Sequence, residues 1–157
     1  MKFILTPELG RLAKWLRILG FDAVYSTQVH LSSLLIHALR DNRIILTRNS
    51  HFIHKAQMTK AIWIKSDEVS QQLRQVIKEL SLRLEKDLMF SRCTICNIEL
   101  QGINKQQIKD RVPEYVFKTQ QKFFACPSCQ RVYWPGTHWG NVSEALKEII
   151  ERKQKPE

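Results

Sequence analysis

All four cysteines of this 157-residue chain stand in two C-x-x-C pairs, Cys93/Cys96 and Cys126/Cys129. A two-residue spacer lets both thiolates of a pair turn onto one ion, and two such pairs complete a tetrahedral set of four sulfurs. A closed set of this kind leaves no position for water or substrate, so the spacing reads as a structural zinc ribbon. The competing readings are a redox C-x-x-C, which needs one pair near the start of a βαβ unit, and disulfides, which belong to secreted chains. The pairs therefore point to a scaffold and leave the activity to the rest of the chain.

Length suits one ordinary domain, or a compact domain with a small metal-stapled appendage. A hydrophobic content of 43% is enough for a real core. No apolar run approaches the ~20 residues of a membrane span. Met1 to Leu5 is too short an apolar stretch for a signal peptide. With reduced cysteines, the expected compartment is the cytoplasm. The net charge is +10, from 25 basic against 15 acidic side chains. Such an excess favours polyanions, chiefly nucleic acid, through phosphate neutralisation and counterion release. A membrane surface is the weaker candidate, because no helix is both strongly basic and suited to lipid.

Residues 1–88 alternate short β-rich runs with amphipathic helices. Phe3-Ile4-Leu5 reads as a strand, Thr6-Pro7 as a helix start, and Leu9, Leu12, Ala13, Leu16 and Leu19 recur at helical spacing until Gly20. Strands follow at Ala23 to Tyr25, Arg43 to Leu46 and Ala61 to Ile64, with helices between them and a long one after Ser66-Asp67. This order implies an α/β fold with a parallel sheet flanked by helices, whose function concentrates at the carboxyl ends of the strands. Residues 89–157 hold every cysteine and four of the five prolines. They read as the ribbon, with a helix expected at Lys105 to Arg111, followed by an amphipathic helix from about Asn141.

Leu9-Gly10-Arg11-Leu12-Ala13-Lys14-Trp15-Leu16-Arg17-Ile18-Leu19-Gly20-Phe21-Asp22 resembles the opening signature of the Mut-7 C-terminal RNase domain family. Arg43 to Arg48 is similar to its central strand and turn, and Gln72-Leu73-Arg74 to its Gln-Leu-Arg helix. Arg92-Cys93-x-x-Cys96-Asn97, Val112-Pro113, Cys126-Pro127-x-Cys129 and Tyr133-Trp134-x-Gly136-Thr137-His138 match in order. The resemblance implies a PIN-like sheet with a zinc ribbon and a metal-dependent ribonuclease ancestry. It implies RNA as partner, with DNA left open, and Mg²⁺ or Mn²⁺ held by carboxylates if the chain cuts. Two of those carboxylate positions fall on Thr6 and Asn49, and the acidic stretch before the second helix falls on Val29 to Ser33, which holds no carboxylate. Only Glu8, Asp22 and Asp41 are acidic before Asp67. Glu8 and Asp22, with Asp41 behind them, are the catalytic candidates of an active enzyme.

Arg11, Lys14 and Arg17, at three-residue steps, read either as a phosphate-binding rail joined by Arg48 or as an ordinary solvated helix face. Asn49 reads as the N-cap of the helix that follows it. His51 and His54 stand one turn apart without a third ligand in view, and read as surface or phosphate contacts. Trp134 reads as packing for the ribbon and Trp15 as core, while His138 and Trp139 are left open between base stacking and packing. The favoured function is RNA binding on a ribonuclease scaffold with degenerate carboxylates. The alternatives are an active divalent-metal ribonuclease and an adaptor for an acidic protein or ribosomal surface.

Overall fold

The computed structural model describes residues 1–27, 30–57 and 59–151, which form two units, Met1–Asn97 and Ile98–Glu157. In the first unit, four parallel strands, β1 (Lys2–Leu5), β2 (Asp22–Tyr25), β3 (Ile44–Thr47) and β4 (Ala61–Trp63), lie in the order β2-β1-β3-β4. The connecting helices are α1 (Gly10–Ile18), α2 (Leu31–Arg40) and α3 (Ser50–Lys55), and α4 (Val69–Glu79) follows β4. Phe3, Ile4 and Leu5 on β1 and Ile45 and Leu46 on β3 are all buried, which is the pattern of central strands covered on both faces. On one face Ile4 and Ile45 pack with Leu34 and Ala38 of α2 and Phe52 and Ala56 of α3. Alternation along the strands turns Phe3 and Leu5 to the other face, where α1 lies against α4 and buries Leu12, Leu16, Leu73 and Val76.

The end of α1 is built on Gly20, whose φ of 89° lies in the left-handed region. The Gly20 N–H donates to Arg17 O and the Phe21 N–H to Leu16 O, which closes a Schellman cap. A Cβ on Gly20 would stand 2.3 Å from the Leu88 carbonyl oxygen, so both the turn and the packing demand glycine.

Because β1 leads outward to β2 and the chain then crosses back to β3, the topology switches direction between β1 and β3. Ligands of such sheets settle outside the carboxyl ends at this point. The Thr6 N–H donates to Leu46 O there, at 3.2 Å, and holds the two exits together.

The second unit carries an antiparallel sheet of β5 (Gln101–Ile103), β6 (Phe123–Ala125) and β7 (Val132–Tyr133), with α5 (Glu114–Thr119) and α6 (Thr137–Glu151). Its core is Ile108, Val116 and Phe123, with Trp134 and Val132 packed onto it. Trp134 is therefore packing, 6.4 Å from the Phe123 ring. The expected helix at Lys105 to Arg111 is a single 3-10 turn over Lys105–Ile108, and α5 starts after Pro113. The units divide after Asn97, while the sequence suggests a boundary at 88/89. Arg17 donates to the Thr94 and Ile95 carbonyls and Asn97 donates to Asp22, which holds residues 94–97 in the first unit. Among the described residues no helix is long and apolar enough to cross a membrane.

Candidate metal centre and nucleic-acid interface

At the carboxyl edge, Thr6 does not cap the helix after it. Its hydroxyl donates instead to Glu8 Oε1 at 2.5 Å, and the same oxygen accepts the Arg48 N–H at 3.1 Å. Glu8 thus bridges the exits of β1 and β3. Its partial burial raises the carboxyl pKa. The bonds from Thr6, its own N–H and the Arg48 N–H outweigh this and hold it below the usual range. Asn49 is the cap of α3, accepting the His51 N–H at 3.0 Å. Arg48 pairs with the exposed Asp67, and His51 and His54 are exposed.

The other acidic candidates lie elsewhere. Asp22 opens β2 opposite Lys2, at the amino end of the sheet, and accepts Arg43 at 2.6 Å and Asn97 Nδ2 at 2.7 Å. Burial raises its pKa, and the bonds from Arg43 and Asn97 outweigh it and lower it. Asp41 caps α2 at that same end, with a pKa brought to about 2 by the hydrogen bond from Arg40. Glu8 and Asp22 thus stand at opposite ends of the strands and cannot share an ion. Among the described residues, the four cysteines alone bring three or more metal-ligating side chains together. Of the three acidic candidates Glu8 alone stands at the carboxyl edge, where Thr6 and Asn49 offer a hard divalent ion neutral oxygens in place of carboxylates.

Arg11 and Lys14 face solvent on α1, but Arg17 does not. Three-residue steps fall about 60° short of a helical turn, so Arg17 is rotated roughly 120° from Arg11. The rotation carries it into the apolar arc, where it is 9% exposed. Its Nε donates to Ala23 O, and Nη1 to the Thr94 and Ile95 carbonyls, each at 2.9 Å. Burial lowers its pKa, while the Cys93 and Cys96 thiols and Asp22 act to raise it. The signal for this role lay in the row Ala13, Arg17, Gly20, which continues the buried stripe.

Thr94 and Ile95 are the spacer of the first C-x-x-C. After each pair the chain turns back through a left-handed residue, Asn97 at φ 63° and Gln130 at φ 63°. The Asn97 N–H donates to Cys93 O at 2.9 Å and the Gln130 N–H to Cys126 O at 3.0 Å, so the two knuckles share one local geometry. The Cys96 N–H also points at Cys93 Sγ, 3.4 Å away. Ligand atoms of all four cysteines lie within 4.8 Å of one another, and none is in a disulfide. Tetrahedral zinc with bonds near 2.3 Å needs sulfurs about 3.8 Å apart, so the donors fit an ion such as zinc. The side chains of His138 and Trp139 lie outside the described residues.

Two exposed aromatics at the carboxyl edge, Tyr25 and Trp63, carry no motif, although each is the last residue of its strand. Comparison with curated proteins and with solved structures finds no match. A family model described as the Mut7-C RNAse domain matches residues 1–146. That span takes in the parallel sheet, both cysteine knuckles and most of α6, and so the chain belongs to the Mut7-C RNAse domain family.

Proposed function

We propose that this protein binds RNA along the carboxyl edge of its parallel sheet and the exposed side of α1, and that its cleavage step is lost or weakened. Family membership supports nucleic acid as the ligand. The observation that carries the reading is the composition of the switch point. Of the candidate carboxylates Glu8, Asp22 and Asp41, Glu8 alone stands beside the exits of β1 and β3, already holding Thr6 and Arg48, while Thr6 and Asn49 offer neutral oxygens. Arg11 and Lys14 hold backbone phosphates from α1, and Arg48 contributes a third cation when a phosphate displaces the solvent-exposed Asp67. Arg17 has no place in that set. The four cysteines hold a structural zinc that folds the ribbon, which needs thiols kept reduced as they are in the cytoplasm.

Fluorescence anisotropy of a labelled RNA mixed with zinc-loaded protein in Mn²⁺, followed over time, tests both parts. A lasting rise is the expected result. A rise that decays below its starting value means cleavage and an active ribonuclease. No rise with free RNA, together with charge-dependent capture of an acidic protein, favours the adaptor.

A further inference from the structure

Tyr25 ends β2 and Trp63 ends β4, the two outer strands of the sheet. Neither belongs to the phosphate contacts or the metal centre. The two are 38% and 44% exposed, yet the polar tip of each is occupied. The Tyr25 hydroxyl donates to Pro7 O at 2.5 Å, and Trp63 Nε1 donates to Arg48 O at 3.1 Å. Pro7 and Arg48 lie in the exits of the two inner strands. Each ring is therefore drawn from its outer strand towards the switch point and fixed there by its tip. Tyr25 is level with Leu5 and Trp63 with Thr47, so the two side chains leave opposite faces of the sheet, and what remains for a ligand is one part-exposed ring at the carboxyl edge of each face.

We propose that Tyr25 and Trp63 are paired base-stacking platforms, each receiving one base of an RNA strand whose backbone crosses the carboxyl edge between them. This rests on the RNA-binding reading above and adds what holds the bases as distinct from the phosphates. The backbones of the two residues are three strand spacings apart, about 14 Å, which suits bases separated by a few nucleotides. A ring already fixed loses little rotamer freedom on binding, so the stacking energy is retained. Every base has an aromatic face, so the platforms tolerate any sequence. They also select against duplex, in which both faces of an internal base are covered by its neighbours.

The test uses the full zinc-loaded chain and an oligoribonucleotide of about 12 nucleotides, within the range that single-strand sites occupy. The comparison strands are one of the same length bearing abasic sites, and the duplex. The intact strand should bind at least about tenfold more tightly than the abasic strand and quench Trp63 fluorescence. Trp63→Leu and Tyr25→Leu should each lose about tenfold for the intact strand and nothing for the abasic one, and Trp63→Phe should recover most of the loss. Equal affinity of the unsubstituted protein for intact and abasic strands overturns the platforms whatever the variants do. In that case a loss of affinity in Arg11→Glu leaves the RNA-binding reading in place. If the unsubstituted protein binds neither single strand nor duplex, the RNA-binding reading falls and the platforms with it.

Discussion

The guanidinium of Arg17 holds the carbonyl oxygen of Thr94 at 2.9 Å across 77 residues of sequence. One side chain of the first helix thereby fixes the turn that presents Cys93 and Cys96. A second link runs beside it, from Asn97 to Asp22 at 2.7 Å. The first cysteine knuckle is part of the packing of the α/β unit, and the cation that makes it so is one whose spacing reads equally as a phosphate rail or a solvated helix face.

Arg17→Lys separates those two roles. A single ammonium cannot reproduce the planar donors that meet Ala23, Thr94 and Ile95. The expected cost is about 2–3 kcal/mol in denaturant unfolding, with RNA affinity of the folded variant unchanged. Arg11→Glu should do the reverse. A weakened RNA complex with full stability in Arg17→Lys would return that residue to the phosphate rail.

Cys126→Ser removes a buried thiolate from the four-sulfur set. Metal analysis should show zinc falling from one equivalent to little, and hydrogen exchange should show lost protection of β6 and β7. Cobalt loaded into the unsubstituted protein should give the intense charge-transfer bands of four thiolate ligands. Stoichiometric zinc in the variant would mean that the ion sits elsewhere.

The Asp22–Arg43 pair predicts a pH dependence. The two side chains are 18% and 11% exposed, and the folded-state pKa of Asp22 lies below its ordinary 3.8. A depressed carboxyl contributes stability that is complete above its unfolded value and is lost as the pH falls through the lower folded value. Asp22→Asn should therefore cost about 2 kcal/mol at neutral pH and progressively less below about pH 4, read from urea midpoints across that range. A cost independent of pH would show that the amide loses shape complementarity and not charge.

Thr6→Asp with Asn49→Asp adds two carboxylates beside Glu8. Aspartate caps a helix as well as asparagine does, so α3 should survive the second change. Calorimetry should detect Mn²⁺ binding in the double variant that the parent lacks, with RNA cutting appearing or rising alongside it. Glu8→Gln in that background should abolish both. If cutting is already present in the parent and unchanged by the additions, the weakened-cleavage reading is wrong.

Local pattern was enough to read much of this protein. The cysteine spacing defines a four-thiolate set because two residues are what a knuckle needs to turn, and alternating β-rich and helical runs define a parallel sheet. Asn49 as a cap follows from its own side chain and the residues beside it. These are short-range effects, in which neighbours along the chain settle the outcome. The roles of Arg17, Asp22 and the aromatic pair were decided by the tertiary structure. Arg17 turns inward because its position on α1 faces carbonyl groups contributed by residues 94 and 95, far along the chain. Asp22 is separated from Glu8 because a parallel sheet places the start of β2 opposite the start of β1, a whole strand away from the exit where Glu8 lies. Tyr25 and Trp63 are unremarkable residues in their own strands. They become a pair only when the order β2-β1-β3-β4 puts them on the two outer strands and neighbouring backbone carbonyls fix where their rings lie.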